Sequence, residues 1–348
     1  MQSKPHIAVV GAGIVGICSA YFLKKSGFNV TLIDKNDPGS MTSYGHACTF
    51  ADYASVPVNS PDLFKEIPSM LFRSDGPLSV DFFHVLKNLR WSFKFLQNCT
   101  TKNVNHISNS LGNLLNSAST SYDEIFSDVD VSEYIKNKEA IYLYQNADEY
   151  LKAKTTNELR EKNGVKIKNL SKNEVLELEP NLAPVFYNGQ LFIGSRHTTN
   201  PLMISKKIFD TFTSNGGIFI KEKVDKIVPE DDFVNVNYNG LDNKFEKVVI
   251  CAGSWSNDLS KKFGDSFPLD TERGYHVMFD NFGLINRPVG WSQSGFYLVQ
   301  LDDGLRAAGT VEIAGLHKLE NKKRTKMIER QARKLLPQLK DVKNTWLG

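Results

Sequence analysis

Three glycines near the start of the chain have the spacing of a phosphate-binding loop. Gly11, Gly13 and Gly16 occupy the first, third and sixth positions of GAGIVG. In such a loop the first glycine permits a tight turn, the second lets the backbone approach a pyrophosphate, and the third lets a helix pack on a strand. Asp34 follows roughly 20 residues on, where a carboxylate can accept hydrogen bonds from ribose hydroxyls. The pattern predicts a dinucleotide site and disfavours NADP, because Asp34 would repel a 2′-phosphate.

The residues around this loop are predicted to form the elements that such a site needs. The preceding HIAVV is predicted to be a buried strand, IVGICSAYFLKKSG a helix, and FNVTLID a second strand. This order is a βαβ unit. The free N–H groups at the start of the helix, around Ile14 and Val15, would face the phosphates.

A second segment could also approach a dinucleotide. The sequence VVICAGSWS, residues 248–256, is predicted to be a buried strand that ends on small residues at a turn. Its backbone at Ala252 and Gly253, followed by Trp255, is the candidate contact. The alternative is an ordinary parallel strand with no ligand.

Composition limits the classes of function. The chain has 348 residues, 41% of them hydrophobic and 23% charged, which is typical of a soluble globular protein of one large or two ordinary domains. A net charge of +3 without a long basic run argues against nucleic acid as a partner. The apolar run near the N-terminus is too short and glycine-rich to span a membrane. Four widely spaced cysteines form no metal or disulfide pattern, which favours a cytoplasmic location.

The combination of motifs resembles a known family. The N-terminal glycine pattern with Asp34, together with CAGSWS, TSYGHAC, PLDTERGYHVMF, GFYLVQLDDGLRAAGTVEIAGL and TWLG, resembles the D-amino acid oxidase family of FAD-dependent oxidoreductases over the whole chain. Within it the chain is most similar to bacterial D-amino acid dehydrogenases. The resemblance implies FAD as cofactor and an enzyme that oxidises the CH–NH bond of a small D- or cyclic amino acid to an imino acid.

The resemblance also implies which residues contact the cofactor. TSYGHACTF matches the family segment that runs along the flavin, where His46 and Cys48 replace the usual asparagine and glycine. His46 has two interpretations: a covalent flavin link, as in dimethylglycine-type dehydrogenases, or a hydrogen bond to flavin or backbone. Cys48 is expected to be a small packing residue. The predicted cofactor-binding residues are Gly11, Gly13, Ile14, Val15, Gly16, Asp34, Lys35, Ser43, His46, Ala47, Val224, Ala252, Gly253 and Trp255.

Four residues are candidates for the catalytic site. By resemblance to glycine oxidase, Tyr297 matches an active-site tyrosine, and Glu312 falls where a residue faces the substrate. Arg273 and Tyr275 are further candidates. The alternatives are a packed strand tyrosine at Tyr297 and a solvated strand end at Glu312. Arg196 and His197 precede a predicted helix, and their charges are expected to be solvated.

The fold class follows from the order of the predicted elements. After Asp34 the chain does not continue into further βα units, as NAD dehydrogenases do. We expect an α/β fold, α+β in part, with a Rossmann-like FAD-binding domain interleaved with a mixed or antiparallel-sheet substrate domain. The predicted FAD-binding domain is 1–79 and 197–262, with 334–348 as the start of its truncated return. The predicted substrate domain is 80–196 and 263–333.

In the family that the chain resembles, the sequence continues beyond the TWLG motif into an Arg-Pro pair. The resemblance implies that the arginine of this pair binds the substrate carboxylate. The chain is therefore expected to lack a C-terminal segment, which leaves its turnover uncertain. This supports an alternative in which the chain is an inactive truncated flavoprotein that acts as a binding subunit. His46 supports another alternative, an oxidative demethylase of sarcosine- or dimethylglycine-like amines.

Two partners are expected besides the amino acid. An electron acceptor, which the sequence leaves open between a quinone, oxygen and a protein, must reoxidise the flavin. Residues 63–97 mix aromatic with basic side chains, which suits peripheral contact with the inner face of a membrane. The alternative is a core helix pair with a solvated basic edge.

Overall fold

The computed structural model describes residues 4–61, 76–265 and 267–348, and the chain divides into two units. Unit one comprises Met1–Tyr44, Ser127–Val131 and Pro201–Asp270. Unit two comprises Gly45–Phe126, Ser132–Asn200 and Thr271–Gly348.

The described residues form the following helices and strands. The α-helices are α1 (Ile14–Lys25), α2 (Thr42–Gly45), α3 (Phe82–Lys87), α4 (Leu89–Gln97), α5 (Thr101–Asp128), α6 (Ala147–Lys162), α7 (Lys172–Leu178), α8 (Pro201–Ser214), α9 (Ser256–Ser260) and α10 (Lys322–Leu335). Short 3₁₀ helices cover Ser132–Tyr134, Gly253–Trp255 and Lys261–Phe263. The strands are β1 (His6–Val10), β2 (Asn29–Ile33), β3 (Thr49–Phe50), β4 (Leu78–Val80), β5 (Ile135–Lys136), β6 (Ile141–Tyr144), β7 (Lys166–Leu170), β8 (Asn188–Ile193), β9 (Arg196–Thr198), β10 (Ile218–Ile220), β11 (Val224–Pro229), β12 (Val234–Tyr238), β13 (Leu241–Phe245), β14 (Lys247–Ile250), β15 (Glu272–Phe279), β16 (Val289–Trp291), β17 (Phe296–Leu301), β18 (Gly304–Ile313) and β19 (Val342–Leu347).

Unit one is built on a parallel sheet. Its strand order is β10-β2-β1-β14, and all three pairings are parallel. The predicted βαβ unit is confirmed as β1, α1 and β2. The central strands are buried because they are apolar on both faces, as in other parallel sheets whose faces are covered. The segment IFIKEKVDKIV, residues 218–228, is divided between β10 and β11. Strand β11 belongs instead to an antiparallel sheet with β12 and β13.

Unit two contains a nine-stranded sheet. Eight strands follow the order β19-β15-β18-β17-β16-β6-β8-β7, and β4 pairs with β18. Pairings are antiparallel except β16 with β6 and β18 with β4. The prediction of a mixed or antiparallel sheet is confirmed, and the sheet is mixed. A small second sheet joins β3, β9 and β5.

The two faces of the large sheet have different coverings. One face carries Tyr275, Val277 and Phe279 of β15, which pack in a hydrophobic core with Met327 and Ile328 of α10. We call this the α10 face. Side chains alternate along a strand, so the intervening residues occupy the opposite face.

The opposite face is defined by cross-strand pairs that include Tyr297. On β17 and β18, Tyr297 lies opposite Ala308 and Val299 lies opposite Arg306. On β15, His276 and Met278 continue the same rows, opposite Ala308 and Arg306. We call this the Tyr297 face.

Several boundaries differ from the predicted domains, including the later segment of unit one, which begins at Pro201 and ends at Asp270 instead of spanning 197–262. Residues 49–50 belong to unit two because β3 pairs with β9, and 342–347 belong to it because β19 pairs with β15. Ser127–Val131 belongs to unit one, where Lys25 forms an ion pair with Asp128 at 2.7 Å. Such long-range pairings are not visible in a local pattern.

The predicted membrane segment 63–97 is only partly described. Residues 63–75 lie outside the described residues, and the rest includes α3 and α4. No helix within the described ranges is long and apolar enough to cross a membrane.

Candidate functional site

The glycine loop of unit one has the close contacts that its sequence predicts. Gly11 has a φ of 107°, and a Cβ atom there would lie 2.3 Å from the carbonyl oxygen of Cys251. A Cβ at Gly16 would lie 1.8 Å from the carbonyl oxygen of Gly11. Both positions therefore exclude a larger residue for reasons internal to the fold.

Gly13 differs because its free side faces little protein. It caps the N-terminus of α1 without a side-chain hydrogen bond, and the nearest atom to an added Cβ is Ser43 Oγ at 3.3 Å. The Ile14 N–H donates to the same Ser43 Oγ at 2.9 Å. Val15 is 65% exposed. An open glycine backbone at the start of a helix, where Ser43 satisfies the Ile14 N–H, fits the pyrophosphate of a dinucleotide.

Asp34 is held at the end of β2. Its Oδ2 accepts from the Ala12 N–H at 2.7 Å and its Oδ1 from the Asn36 N–H at 2.8 Å. Each carboxylate oxygen keeps acceptor capacity beyond these single bonds, so Asp34 can both fix the loop and accept from a ribose hydroxyl.

The second predicted segment reaches the same edge of the parallel sheet. Strand β14 lies beside β1, and the Cys251 N–H donates to the Val10 carbonyl at 2.7 Å. Because parallel neighbours end together, the turn after β14 lies beside the glycine loop. That turn includes Ala252, Gly253 and the half-exposed Trp255, whose ring lies 5.9 Å from Lys35 Nζ. The remaining predicted residue, Val224, begins β11 in the same unit.

The predicted flavin loop of unit two includes His46, Ala47 and Cys48. His46 Nδ1 accepts from the Cys48 N–H at 2.9 Å, which is the backbone hydrogen bond of one earlier interpretation. Cys48 has a φ of 60°, a region that favours glycine. This explains physically why a glycine suits the position. The Cys48 side chain is fully buried against Met278, Val299 and Leu301, as expected for a packing residue.

A buried arginine lies behind this loop. Arg306 is fully buried on the Tyr297 face, and its Nη1 donates to the His46 carbonyl at 3.2 Å and to Cys48 Sγ at 3.5 Å. Burial raises the pKa of the Cys48 thiol to about 11, although the nearby Arg306 opposes the shift. Desolvation, then the charge of Arg306, lowers the pKa of His46 to about 4, even though His46 as a whole is exposed. Both groups are therefore neutral near pH 7.

The structure separates the four predicted catalytic residues. Tyr297 is partly exposed on the Tyr297 face. Tyr275 is on the α10 face, where its hydroxyl donates to Glu312 Oε2 at 2.6 Å. Arg273 Nη1 lies 3.5 Å from the same oxygen, and Asn321 Nδ2 donates to Oε1 at 3.1 Å. Tyr275, Arg273 and Glu312 thus form one buried network that does not include Tyr297.

That network has a structural explanation. Asn321 caps α10 through its side chain, so the network ties the start of this helix to β15 and β18. Burial and the hydrogen bond to Glu312 raise the pKa of Tyr275 to about 12. The interpretation of Glu312 as a solvated strand end does not hold, because Glu312 is 2% exposed.

Arg196 and His197 are also held within unit two. Arg196 forms an ion pair with Asp123 at 2.6 Å and lies over the ring of Phe50. His197 is 3% exposed, with Nδ1 3.2 Å from the Lys138 carbonyl. The prediction that both side chains are solvated is wrong for His197, which is buried, and Arg196 is only partly exposed.

The sequence reasoning missed Arg160, which belongs to α6 and lies among tyrosines of the Tyr297 face. Its charge acts on Tyr53, Tyr142 and Tyr297. It is an isolated arginine in a charged helix, so no local pattern distinguishes it from its neighbours.

Two buried histidines are expected to make the stability of the folded state sensitive to acid. Burial lowers the pKa of both His197 and His276 to about 4; the charge of Arg306 adds to the effect at His276, while backbone hydrogen bonds oppose it at each site. As the pH falls, the histidines of the unfolded chain become protonated near pH 6.5, whereas those of the folded chain stay neutral until about pH 4. The folded state therefore has its full stability above pH 6.5 and loses stability as the pH falls toward 4. We expect each histidine to lower the free energy of unfolding by about 1–2 kcal/mol between pH 7 and pH 5.

Urea unfolding at pH 7 and pH 5 measures this effect. His276→Gln should reduce the difference between the two pH values, and His106→Gln, at an exposed position on α5, should not. Equal pH dependence of the wild type and His276→Gln would contradict the assignment.

Comparison with known proteins extends these observations. The family described as DAO, FAD dependent oxidoreductase, matches residues 6–348. A D-amino-acid oxidase of Bradyrhizobium diazoefficiens is 30% identical over 361 aligned residues, covering 100% of this chain and 85% of the relative. A D-amino acid dehydrogenase of Vibrio vulnificus is 23% identical, covering 98% and 84%. The crystal structure of glycine oxidase from Bacillus cereus has a TM-score of 0.70 at 19% identity, covering 99% and 82%. At that identity, the structural similarity concerns the fold alone.

Proposed function

The chain belongs to the DAO family of FAD-dependent oxidoreductases, and from this we propose that it oxidises the CH–NH bond of a small D- or cyclic amino acid to an imino acid. The cofactor is FAD. The observation that carries its flavin-binding part is the open backbone at Gly13 at the start of α1. The amino acid as substrate is supported by the names of the two sequence relatives.

We assign cofactor and substrate contacts to different parts of the chain. In unit one, Gly13, Ile14 and Asp34 would hold the pyrophosphate and ribose of FAD. In unit two, the loop at His46 would contact the flavin, and Tyr297 would contact the amino acid. When bound, FAD supplies a two-electron acceptor for the hydride that leaves the α-carbon.

The side chains of unit two mainly position the substrate. Burial raises the pKa of Tyr297 well above its usual range, and the neighbouring Tyr53 and Tyr142 raise it further. Its hydroxyl therefore stays protonated and acts as a hydrogen-bond donor, not as a base. The neutral His46 can form a hydrogen bond without adding charge. Holding the amino acid in a reactive orientation is the main contribution of such groups.

Anaerobic reduction of the FAD-loaded protein tests the proposal. D-alanine or D-proline should bleach the flavin absorbance and produce an imino acid, which hydrolyses to a keto acid and ammonia. Sarcosine and dimethylglycine test the demethylase alternative. Bleaching by dithionite but by none of these amines would refute an amino acid as substrate. Hydrogen peroxide formation in air separates oxygen from a quinone or protein acceptor.

We also propose that α3 and α4 contact an anionic membrane surface. Phe82, Phe83, Leu86, Leu89 and Phe93 are 49–71% exposed. The exposed basic residues Lys87, Arg90 and Lys94 lie on the same two helices. Aromatic side chains with interspersed positive charges suit the interface of anionic lipids.

Vesicle flotation should detect this contact. Phe83→Ser with Phe93→Ser should reduce binding to anionic vesicles about tenfold or more, because each exposed phenylalanine contributes hydrophobic transfer free energy. Leu151→Ser, on the 64%-exposed Leu151 of α6, is the matched control. Unchanged flotation of the double variant would contradict the proposed contact.

A further inference from the structure

A group of tyrosines lies next to Tyr297 in unit two. Tyr142 on β6 and Tyr297 on β17 both lie opposite or beside Gly290 of β16, and their rings are 5.8 Å apart. Tyr53 stacks on Phe192 of β8 at 4.1 Å. Glycine at position 290 leaves room for the two rings, since a Cβ there would lie 2.3 Å from Tyr142. Tyr142 and Tyr297 are partly exposed, so the group is not sealed from solvent.

Arg160 brings a positive charge to these tyrosines. Its guanidinium lies 5.4 Å from the ring centre of Phe192, and its charge acts on all three tyrosine hydroxyls. The charge of Glu149 also acts on Tyr142, but Glu149 Oε2 accepts from Ser292 Oγ at 2.6 Å, and the charge of Asp52 acts on Tyr53. Among the described residues, no carboxylate forms an ion pair with Arg160.

The position of Arg160 is fixed by a buried polar chain. Arg160 Nη1 donates to Asn157 Oδ1 at 2.8 Å, and Asn157 Nδ2 donates to Gln190 Oε1 at 2.8 Å. The Tyr144 hydroxyl donates to the same Gln190 oxygen at 2.6 Å. By contrast, the buried Nε–H of Arg160 donates to no atom of the described residues. The guanidinium is thus held in place, and its Nε–H can still donate a hydrogen bond to a ligand.

A buried N–H donor without an acceptor, as at Arg160 Nε, is unfavourable until a ligand or water molecule completes it. Guanidinium donors have the geometry of a carboxylate, and protonated tyrosine hydroxyls add further donors. Tyr297 is also the residue to which the proposed function assigns substrate contact. The ligand that matches this set of donors is a carboxylate.

We propose that Arg160, with the hydroxyls of Tyr53, Tyr142 and Tyr297, binds a carboxylate of the amino acid substrate. This rests on the proposed function, because it takes the substrate to be an amino acid. Two carboxylates have this chemistry: the α-carboxylate of any amino acid, and the side-chain carboxylate of an acidic one.

Binding of unreactive ligands to the FAD-loaded protein tests the assignment without turnover. Isothermal titration with acetate, propionate and succinate, and with propionamide as the neutral counterpart, is compared between the wild type, Arg160→Met and Arg160→Lys. Lys154→Met, at an exposed position on the same helix, is the control. Thermal melting of each variant shows whether the fold is kept.

Arg160→Met should weaken carboxylate binding about 10- to 100-fold, as expected for the loss of charge-assisted hydrogen bonds. Propionamide binding should stay unchanged, and Arg160→Lys should restore part of the affinity, which a packing role on Phe192 would not explain. Loss for all carboxylates assigns Arg160 to the α-carboxylate, and loss for succinate alone assigns it to an acidic side chain. If Arg160→Met melts early, the comparison of Arg160→Lys with the wild type decides.

Equal carboxylate affinities in the wild type and a folded Arg160→Met protein would overturn the inference. So would a wild type that binds none of the carboxylates. Failure of the proposed function has a different signature, since it would leave carboxylate binding dependent on Arg160 while no amino acid bleaches the flavin.

Discussion

A protein carrying Gly13→Ala is expected to fold like the wild type and to bind FAD about 10- to 100-fold more weakly, because an extra methyl group in a close contact costs about 1–3 kcal/mol. The backbone at Gly13 has a φ of −70°, which alanine adopts without strain, and the nearest atom to the new methyl group is 3.3 Å away. The methyl group would instead occupy the space that the pyrophosphate needs.

FAD titration of the apoprotein, together with thermal melting, measures both effects. Gly274→Ala is the matched control, because no atom lies within 4 Å of an added Cβ at that glycine in unit two. Gly16→Ala should behave differently and lose the fold, since its Cβ would meet a carbonyl oxygen 1.8 Å away. A Gly13→Ala protein with wild-type FAD affinity would show that the pyrophosphate lies elsewhere.

The Glu312→Ala variant is expected to lose about 3–5 kcal/mol of unfolding free energy, because it leaves the buried guanidinium of Arg273 without its anion. Arg273 and Glu312 have side chains 5% and 3% exposed, so water cannot replace the lost partner. Tyr275 and Asn321 would also lose their acceptor. Urea unfolding near pH 7 measures the change.

Two controls separate a structural role from a catalytic one. Glu158→Ala, at an exposed position on α6, should change stability by less than about 0.5 kcal/mol. Replacing both Arg273 and Glu312 by leucine should recover part of the loss, because it removes the two charges together. If Glu312→Ala instead unfolds like the wild type but no longer reduces the flavin with amino acids, Glu312 acts on the substrate.

The sequence by itself determined the elements that depend on local residue patterns. The glycine spacing, the apolar runs and Asp34 predicted β1, α1 and β2 at nearly their observed bounds. These signals are readable because turn geometry and helix starts depend on residues within a few positions of each other.

Only the tertiary structure decided which predicted residues meet. Tyr275 and Tyr297 lie on neighbours of the same strand, β18, yet on opposite faces of the sheet, because register sets the face and a shift of one residue reverses it. The register shift between Arg273 and Tyr275 is not encoded in any local pattern. Arg160 is a candidate because strands far from it in sequence bring tyrosines close to it. Residues 342–347 belong to unit two because they pair with β15. Local chemistry therefore predicted the cofactor loop, whereas the faces of a nine-stranded sheet, built from distant segments, decided the candidate substrate residues.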